Sequence, residues 1–191
     1  AQVTLVAGYT SDLDAPAAVD VVHVKTASDM QDAVRKRAVG VDAVVMAAAV
    51  ADFRPESIAG SKIKKGSNEP SSIPLVRNDD ILAGLVSARR DGELESSTVI
   101  VGFAAETGDA DGDVLTYARA KLERKGCDLL VVNAVGDGKA FEVDHNDGWL
   151  LGSDGSEAAL GEGSKALLAS RVLDSVAQML DARSPRPKST P

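Results

Sequence analysis

Aromatic side chains are scarce in this chain. Phe, Trp and Tyr make up 3% of its 191 residues, so a core must be assembled from Val, Leu, Ile and Ala. There is one cysteine, Cys127, which excludes an internal disulfide and points to a reducing compartment, the cytoplasm. The two histidines, His23 and His145, are far apart and have no neighbours at metal-ligand spacing, which argues against zinc. No apolar run approaches a bilayer span and no signal peptide is visible, so no membrane partner is expected. Positive charge is in the minority: 21 Lys and Arg against 29 Asp and Glu give a net charge of −8 at pH 7. That balance disfavours nonspecific binding to nucleic acid or anionic lipid. It leaves room for a small anionic ligand held by a few local lysines. What the chain has in quantity is aliphatic surface. Hydrophobic residues make up 44%, too many for a disordered polymer and, at this length, enough for one domain with a core.

Short apolar runs alternate with helical patterns. Gln2–Gly8, Val19–Lys25 and "VDAVVMAA" from Val41 read as strands, as do "SIPLVR", "STVIVGFAAET" and "CDLLVVNAV". Between them, "TASDMQDAVRKRAVG" reads as a helix with Thr26 or Ser28 as its cap and Gly40 as its stop. "NDDILAGLVSARR" reads as a helix capped by Asn78 with acids in its first turn, and "DVLTYARAKLERKG" as one ending at Gly126. Residues 51–71 read as a polar loop containing "SKIKKGSNEP". "DGWLLGSDGSEAAL" reads as a hairpin turning at Asp154-Gly155. A last amphipathic helix would share Leu167, Leu168, Val172, Leu173 and Val176 on one face, followed by a loose tail from 183 to 191. Strands alternating with helices imply parallel βαβ units, and near-continuous apolar strands imply a sheet covered on both faces. The expected fold is therefore α/β, doubly wound and Rossmann-like, with a mostly parallel sheet and a small C-terminal hairpin. The chain opens inside a strand, at "AQVTLVAG", which leads us to expect that it begins mid-fold.

Ligands in such sheets bind outside the carboxyl ends of the strands, and those ends are unusual here. One runs into "AAAVADFRP", one into "GFAAET" and one into "VNAV". Small side chains let a flat ring or a phosphate approach the backbone, although each alanine taken alone also suits helix–sheet packing. Lys62–Lys65, "KIKK", offers mobile positive charge in a loop. Lys121 and Lys125 lie four apart on one helix face. Asp52 and Glu106 stand at strand ends where carboxylates suit Mg²⁺ beside a triphosphate. Asp79 and Asp80 are equally at home as helix-start stabilisers. Tyr117 and Lys121 have the Tyr-x-x-x-Lys spacing of short-chain dehydrogenases, without the G-x-G-x-x-G fingerprint of a dinucleotide site. An NAD(P)-dependent oxidoreductase and a nucleotide-binding module without chemistry are the alternatives these residues leave open.

Taken together and in this order, "AAAVADFRP", "KIKK", "NDDILAGL", "GFAAET", "YARAKLERKGCDLLVVN" and Phe141-x-x-x-x-Asn146 resemble one family. It is the bacterial phosphopantothenoylcysteine synthetase, or phosphopantothenate–cysteine ligase, of coenzyme A biosynthesis, and the likeness covers residues 1 to 180. It implies a CTP-binding synthetase domain over residues 1–182, with Mg²⁺ or Mn²⁺ and the substrates CTP, 4′-phosphopantothenate and L-cysteine. It implies an acyl-cytidylate intermediate that cysteine converts to an amide. The family's nucleotide contacts fall on Met46, Ala47, Ala48, Asp52, Lys62, Asp79, Asp80, Ile81, Leu82, Phe103, Lys121 and Lys125. Lys62 is the implied catalytic lysine and Asp52 the candidate metal ligand. A homodimer is implied, with the KIKK loop or the following strand near the partner, and so is an upstream fusion to a flavin-dependent decarboxylase. The family's first strand, glycine-rich turn and second-step asparagine have no counterpart in this sequence. The resemblance thus predicts a chain that holds most of the CTP site, lacks part of the remaining machinery and need not be active alone.

Overall fold

In the first half of the chain, capped amphipathic runs become helices and apolar runs become strands, over much the spans their patterns predict. The computed structural model describes residues 1–10, 18–61, 72–106, 113–134, 145–146, 148–161 and 163–183. They form two compact units, Ala1–Val34 with Ala49–Ile81, and Arg35–Ala48 with Leu82–Pro191.

The first unit holds β1 (Val3–Ala7) and β2 (Val19–His23), paired in parallel from Val3↔Val19 to Ala7↔His23. Most of α1 (Ala27–Ala38) belongs to it. Thr26 begins this helix in the manner its sequence suggests. Its Oγ1 accepts from the Asp29 N–H, and the Asp29 carboxylate accepts from the Thr26 N–H, both at 3.0 Å. This reciprocal capping satisfies two helix-start donors at once.

Two features of this unit differ from the sequence reading. Part of the expected 51–71 loop is a strand: after β3 (Ala43–Met46), which belongs to the second unit, β4 (Phe53–Pro55) pairs antiparallel with β5 (Leu75–Arg77). The KIKK cluster lies outside the described residues. Asn78 does not cap the next helix. Its side-chain amide donates to the Ala51 carbonyl at 2.8 Å and its Oδ1 accepts from Arg54 at 2.9 Å, which braces the end of the β4–β5 ribbon. Asp79 and Asp80 accordingly precede the helix, α2 (Ile81–Arg90), instead of occupying its first turn.

The second unit is built on a five-stranded sheet. Its remaining elements are β6 (Val99–Glu106), α3 (Val114–Lys125), β7 (Leu129–Ala134), β8 (His145–Asn146), β9 (Gly148–Gly152), β10 (Glu157–Ala159), β11 (Gly163–Ser164) and α4 (Lys165–Arg183). The sheet order is β10-β9-β7-β6-β3. β3, β6 and β7 run parallel, while β9 and β10 form the expected hairpin and join antiparallel at the β7 edge. The fold is thus α/β with a mixed sheet, parallel in the strands that carry the expected site.

Val99, Ile100 and Val101 are wholly buried, each burial worth about 1.5–3 kcal/mol. Strand alternation sends Val99, Val101 and Phe103 toward a cluster that includes Leu168, Val172 and Val176 of α4. It sends Gly102 the other way, toward α2. A Cβ at Gly102 would stand 2.6 Å from Leu82 Cδ2 and 3.2 Å from Leu130 Cδ1, so a larger residue there would oblige the Leu82 side chain to shift. The buried face of α4 is narrower than predicted. Leu168, Val172 and Val176 lie inside, but Leu167 and Leu173 are 44% and 58% exposed. At 100° per residue those two leucines fall on either flank of the 168–172–176 stripe.

α3 starts on Asp113, whose carboxylate accepts from the Thr116 N–H at 2.7 Å, and stops at Gly126, left-handed at φ 70°. Cys127, the core residue expected at the start of the next strand, is fully buried, and burial raises its thiol pKa. Residues 184–191, most of the expected tail, lie outside the described residues.

Candidate functional site

The three unusual strand ends are neighbours, since β3, β6 and β7 are consecutive in the sheet. The β3–β6 register stops at Met46↔Gly102, so β6 continues through Phe103, Ala104, Ala105 and Glu106 past the end of β3. Ala47, Ala48 and Ala49 follow Met46 and are exposed. They fill no core space, which sets aside the packing explanation for them and leaves their backbone within reach of solvent. On β6 packing explains two of the small residues, Gly102, which faces Leu82, and Ala104, which is buried, but not Ala105, which is exposed.

On the α2 and α3 side of the sheet, Lys121 reaches the end of β6. Its ammonium Nζ lies 2.6 Å from Glu106 Oε1. Lys121 is fixed at its base because Ala118 and Leu122, on either side of it in α3, are buried. Tyr117 and Lys125 lie one turn before and one turn after it, each half-buried. Phe103 belongs to the opposite face, partly buried against the core cluster. The second unit therefore pairs Glu106 with Lys121 at the end of β6 and leaves Met46–Ala48 at the end of the neighbouring β3, with Phe103 on the opposite face from the lysine.

The first unit brings together a second set. The Asn78 N–H donates to the Asp52 carbonyl at 2.8 Å, extending the β4–β5 ladder by one pair. That bond sets Asp52 beside the Asp79–Ile81 segment across 27 residues of chain. Asp52 is exposed. The Asp79 carboxylate accepts from Gln31 Nε2 at 3.0 Å, and Ile81 is buried. Arg54 donates to the Arg77 carbonyl at 3.0 Å as well as to Asn78, and the Arg77 guanidinium lies 5.3 Å from the centre of the Phe53 ring. Lys62 lies outside the described residues, as does Phe141.

Among the described residues there is no group of three or more His, Cys, Asp or Glu side chains that would hold a metal ion. Sequence reasoning missed two parts of this arrangement. One is the Glu106–Lys121 pair, for which an acid ending an apolar strand was the available signal. The other is the Asn78 brace, whose residue type suggested a cap.

Comparison with known proteins gives a consistent result. The model of the DNA/pantothenate metabolism flavoprotein C-terminal domain matches residues 1–180. The coenzyme A biosynthesis bifunctional protein CoaBC of Mycolicibacterium smegmatis is 64% identical over 183 residues, which is 96% of this chain and 44% of that protein. The chain thus spans less than half the length of the curated relatives it matches. The crystal structure of the C-terminal domain of a CoaBC protein superposes with a TM-score of 0.71 at 31% identity, covering 95% of this chain and 76% of that one. A Cab2 mutant solved with phosphopantothenate-cysteine shares the fold at a TM-score of 0.63 and 17% identity, over 87% of this chain and 55% of that one. With strands, spacing and sequence in agreement over residues 1–180, the chain belongs to the DNA/pantothenate metabolism flavoprotein C-terminal domain family.

Proposed function

We propose that this chain is the CTP-binding part of a phosphopantothenate–cysteine ligase and that residues 1–182 serve as one synthetase domain, Rossmann-like and doubly wound. The observation that carries the reading is the strand-end arrangement of β3 and β6. Exposed small residues leave the backbone open at the end of β3, and a lysine is fixed at the end of the adjacent β6, in a chain 64% identical to a coenzyme A biosynthesis protein over 183 residues.

In the proposed reaction a carboxylate oxygen of 4′-phosphopantothenate attacks the α-phosphorus of CTP and pyrophosphate leaves. The amine of L-cysteine then attacks the acyl carbon of the acyl-cytidylate, loses a proton and expels CMP. The product, 4′-phosphopantothenoyl-L-cysteine, matches in name the molecule bound in the Cab2 mutant structure. Activation is required because a free carboxylate is a poor acceptor for an amine. Charge accumulates on the phosphates in the first step, and fixed cations stabilise it most where water is excluded.

Lys121 and Lys125 take the polyphosphate in this reading, and Met46–Ala48 and Phe103 line the nucleotide. Asp52 and the Asp79–Leu82 segment also contact the nucleotide, and Lys62 is the catalytic lysine. Mg²⁺ or Mn²⁺ would bridge phosphate oxygens and offset their charge, with Asp52 as the one protein carboxylate offered to it. A cytoplasmic homodimer, fused upstream to a flavin-dependent decarboxylase, completes the proposal.

Calorimetric titration with CTP, ATP and NADPH, each with Mg²⁺, tests it. CTP is expected to bind and NADPH to be inert. Lys62→Ala is expected to retain CTP binding and to lose the 4′-phosphopantothenate-dependent exchange of pyrophosphate into CTP. Binding of NADPH in place of CTP would overturn the proposal.

A further inference from the structure

Resting on that reading, we propose that Glu106 is a positioning residue for nucleotide binding: it holds the Lys121 ammonium at the carboxyl end of β6, where the ammonium meets the ligand's phosphates. A carboxylate at a polyphosphate site otherwise works against binding, because it repels the incoming charge. As a free group, Glu106 would suit a metal ion, the role that its place at a strand end first suggests. The geometry gives it a different role. The Lys121 ammonium sits 2.6 Å from Oε1, in the place a cation would take.

Both partners are largely withdrawn from water, with side-chain exposures of 28% for Lys121 and 19% for Glu106. The pair is therefore less screened than a surface ion pair. Each end is anchored independently. Glu106 is the last residue of β6, in register with Ala134 of β7. Lys121 rises from a helix whose neighbouring positions 118 and 122 are buried. A lysine has long, freely rotating bonds and places its charge poorly unless another group fixes it. An ammonium has three N–H donors, so one bond to Glu106 leaves two for phosphate oxygens. Protein kinases show the same division of labour, in which a glutamate holds the lysine that binds nucleotide phosphates.

The test is a double-mutant cycle read by calorimetric titration of the chain with CTP and Mg²⁺. Glu106→Gln keeps the shape and removes the charge. It is expected to weaken CTP binding about tenfold, the scale at which supporting carboxylates act on the groups they orient. In a Lys121→Ala background Glu106→Gln is expected to cause no further loss, and to tighten binding slightly, because the carboxylate helps only through the lysine and without it merely repels the phosphates. Glu106→Asp, which keeps the charge but shortens its reach, is expected to fall between wild type and Glu106→Gln, and it serves if the Gln variant folds poorly.

Equal losses in the two backgrounds, or unchanged or tighter binding by the Glu106→Gln single variant, would each overturn the proposal while wild-type binding leaves the ligase reading in place. A change in melting temperature with unchanged affinity would mark the pair as purely structural and also overturn it. Failure of the wild-type chain to bind CTP would remove the proposal that these residues carry a working CTP site, and this inference with it.

Discussion

Asp128 gathers three long-range bonds on one buried side chain. It sits at the start of β7, almost buried, between Arg89 of α2 and Arg183 of α4, and it also accepts from the Ile100 N–H at 2.7 Å. Burial by itself raises the carboxyl pKa. The bonds from Arg89, the Ile100 N–H and Arg183 outweigh it and hold the group below the usual carboxylate range. A pKa lowered in the folded state contributes stability above the unfolded value, about 3.9, and loses it as pH falls through the folded value. Asp128→Asn would leave two guanidinium groups without their counter-charge, Arg89 the more buried of them. We expect a loss of about 3 kcal/mol at neutral pH. The gap from wild type should begin to narrow below about pH 4, where the unfolded aspartate takes up a proton, and go on closing as pH falls through the lower folded value. Urea titrations at the two pH values check this, and a gap independent of pH would refute it. None of it was visible in the sequence beyond an acid opening an apolar strand, because the partners lie 39 and 55 residues away.

At the scale of elements, legibility followed the range of the interactions that fix each one. α3 could be read from Asp113 to Gly126 because its cap and its stop are local. β6 and β7 could be read from unbroken apolar runs. β4 could not, since Phe53–Pro55 has no periodicity to show and is a strand only because Leu75–Arg77 pairs with it. Asn78 shows the same limit. Its residue type is right for a cap, but tertiary partners at Ala51 and Arg54 take its side chain. The strand ends expected to carry the site were legible as small residues, whereas the Glu106–Lys121 pair depends on how α3 lies on β6.

The buried face of α4 is a further case, because hydrophobic type alone placed five residues on it and geometry keeps three. Leu168→Ala should cost about 2–3 kcal/mol, since it removes a core side chain. Leu173→Ala should change stability by less than about 0.5 kcal/mol, as exposed substitutions do. Chemical denaturation of the two variants decides it, and comparable losses would restore the wider face.

For the whole molecule, the open question is what covers the β4–β5 ribbon. It is a two-stranded ribbon with three paired positions, and such ribbons are marginal in water without a surface to pack on. Phe53, Ile73 and Leu75 on or beside it are 48%, 69% and 59% exposed. We propose a second copy of the chain as the cover, joined about a twofold axis so that the same residues serve both sides.

Net charge gives this association a distinctive sign. Each chain carries −8 at pH 7, so bringing two together is opposed by long-range repulsion that added salt screens. Contacts between apolar side chains lose nothing to that screening. Dimerisation should therefore strengthen as sodium chloride is raised from low to physiological concentration, the reverse of an interface held by ion pairs. Leu75→Asp, which puts a charge into the apolar patch, should leave a monomer whose melting temperature in dilute solution is close to that of the unassociated wild-type chain. Sedimentation equilibrium over a range of micromolar concentrations and two salt levels measures both. A wild-type chain that stays monomeric throughout, or a Leu75→Asp dimer as strong as wild type, would show that the ribbon is not where two copies meet.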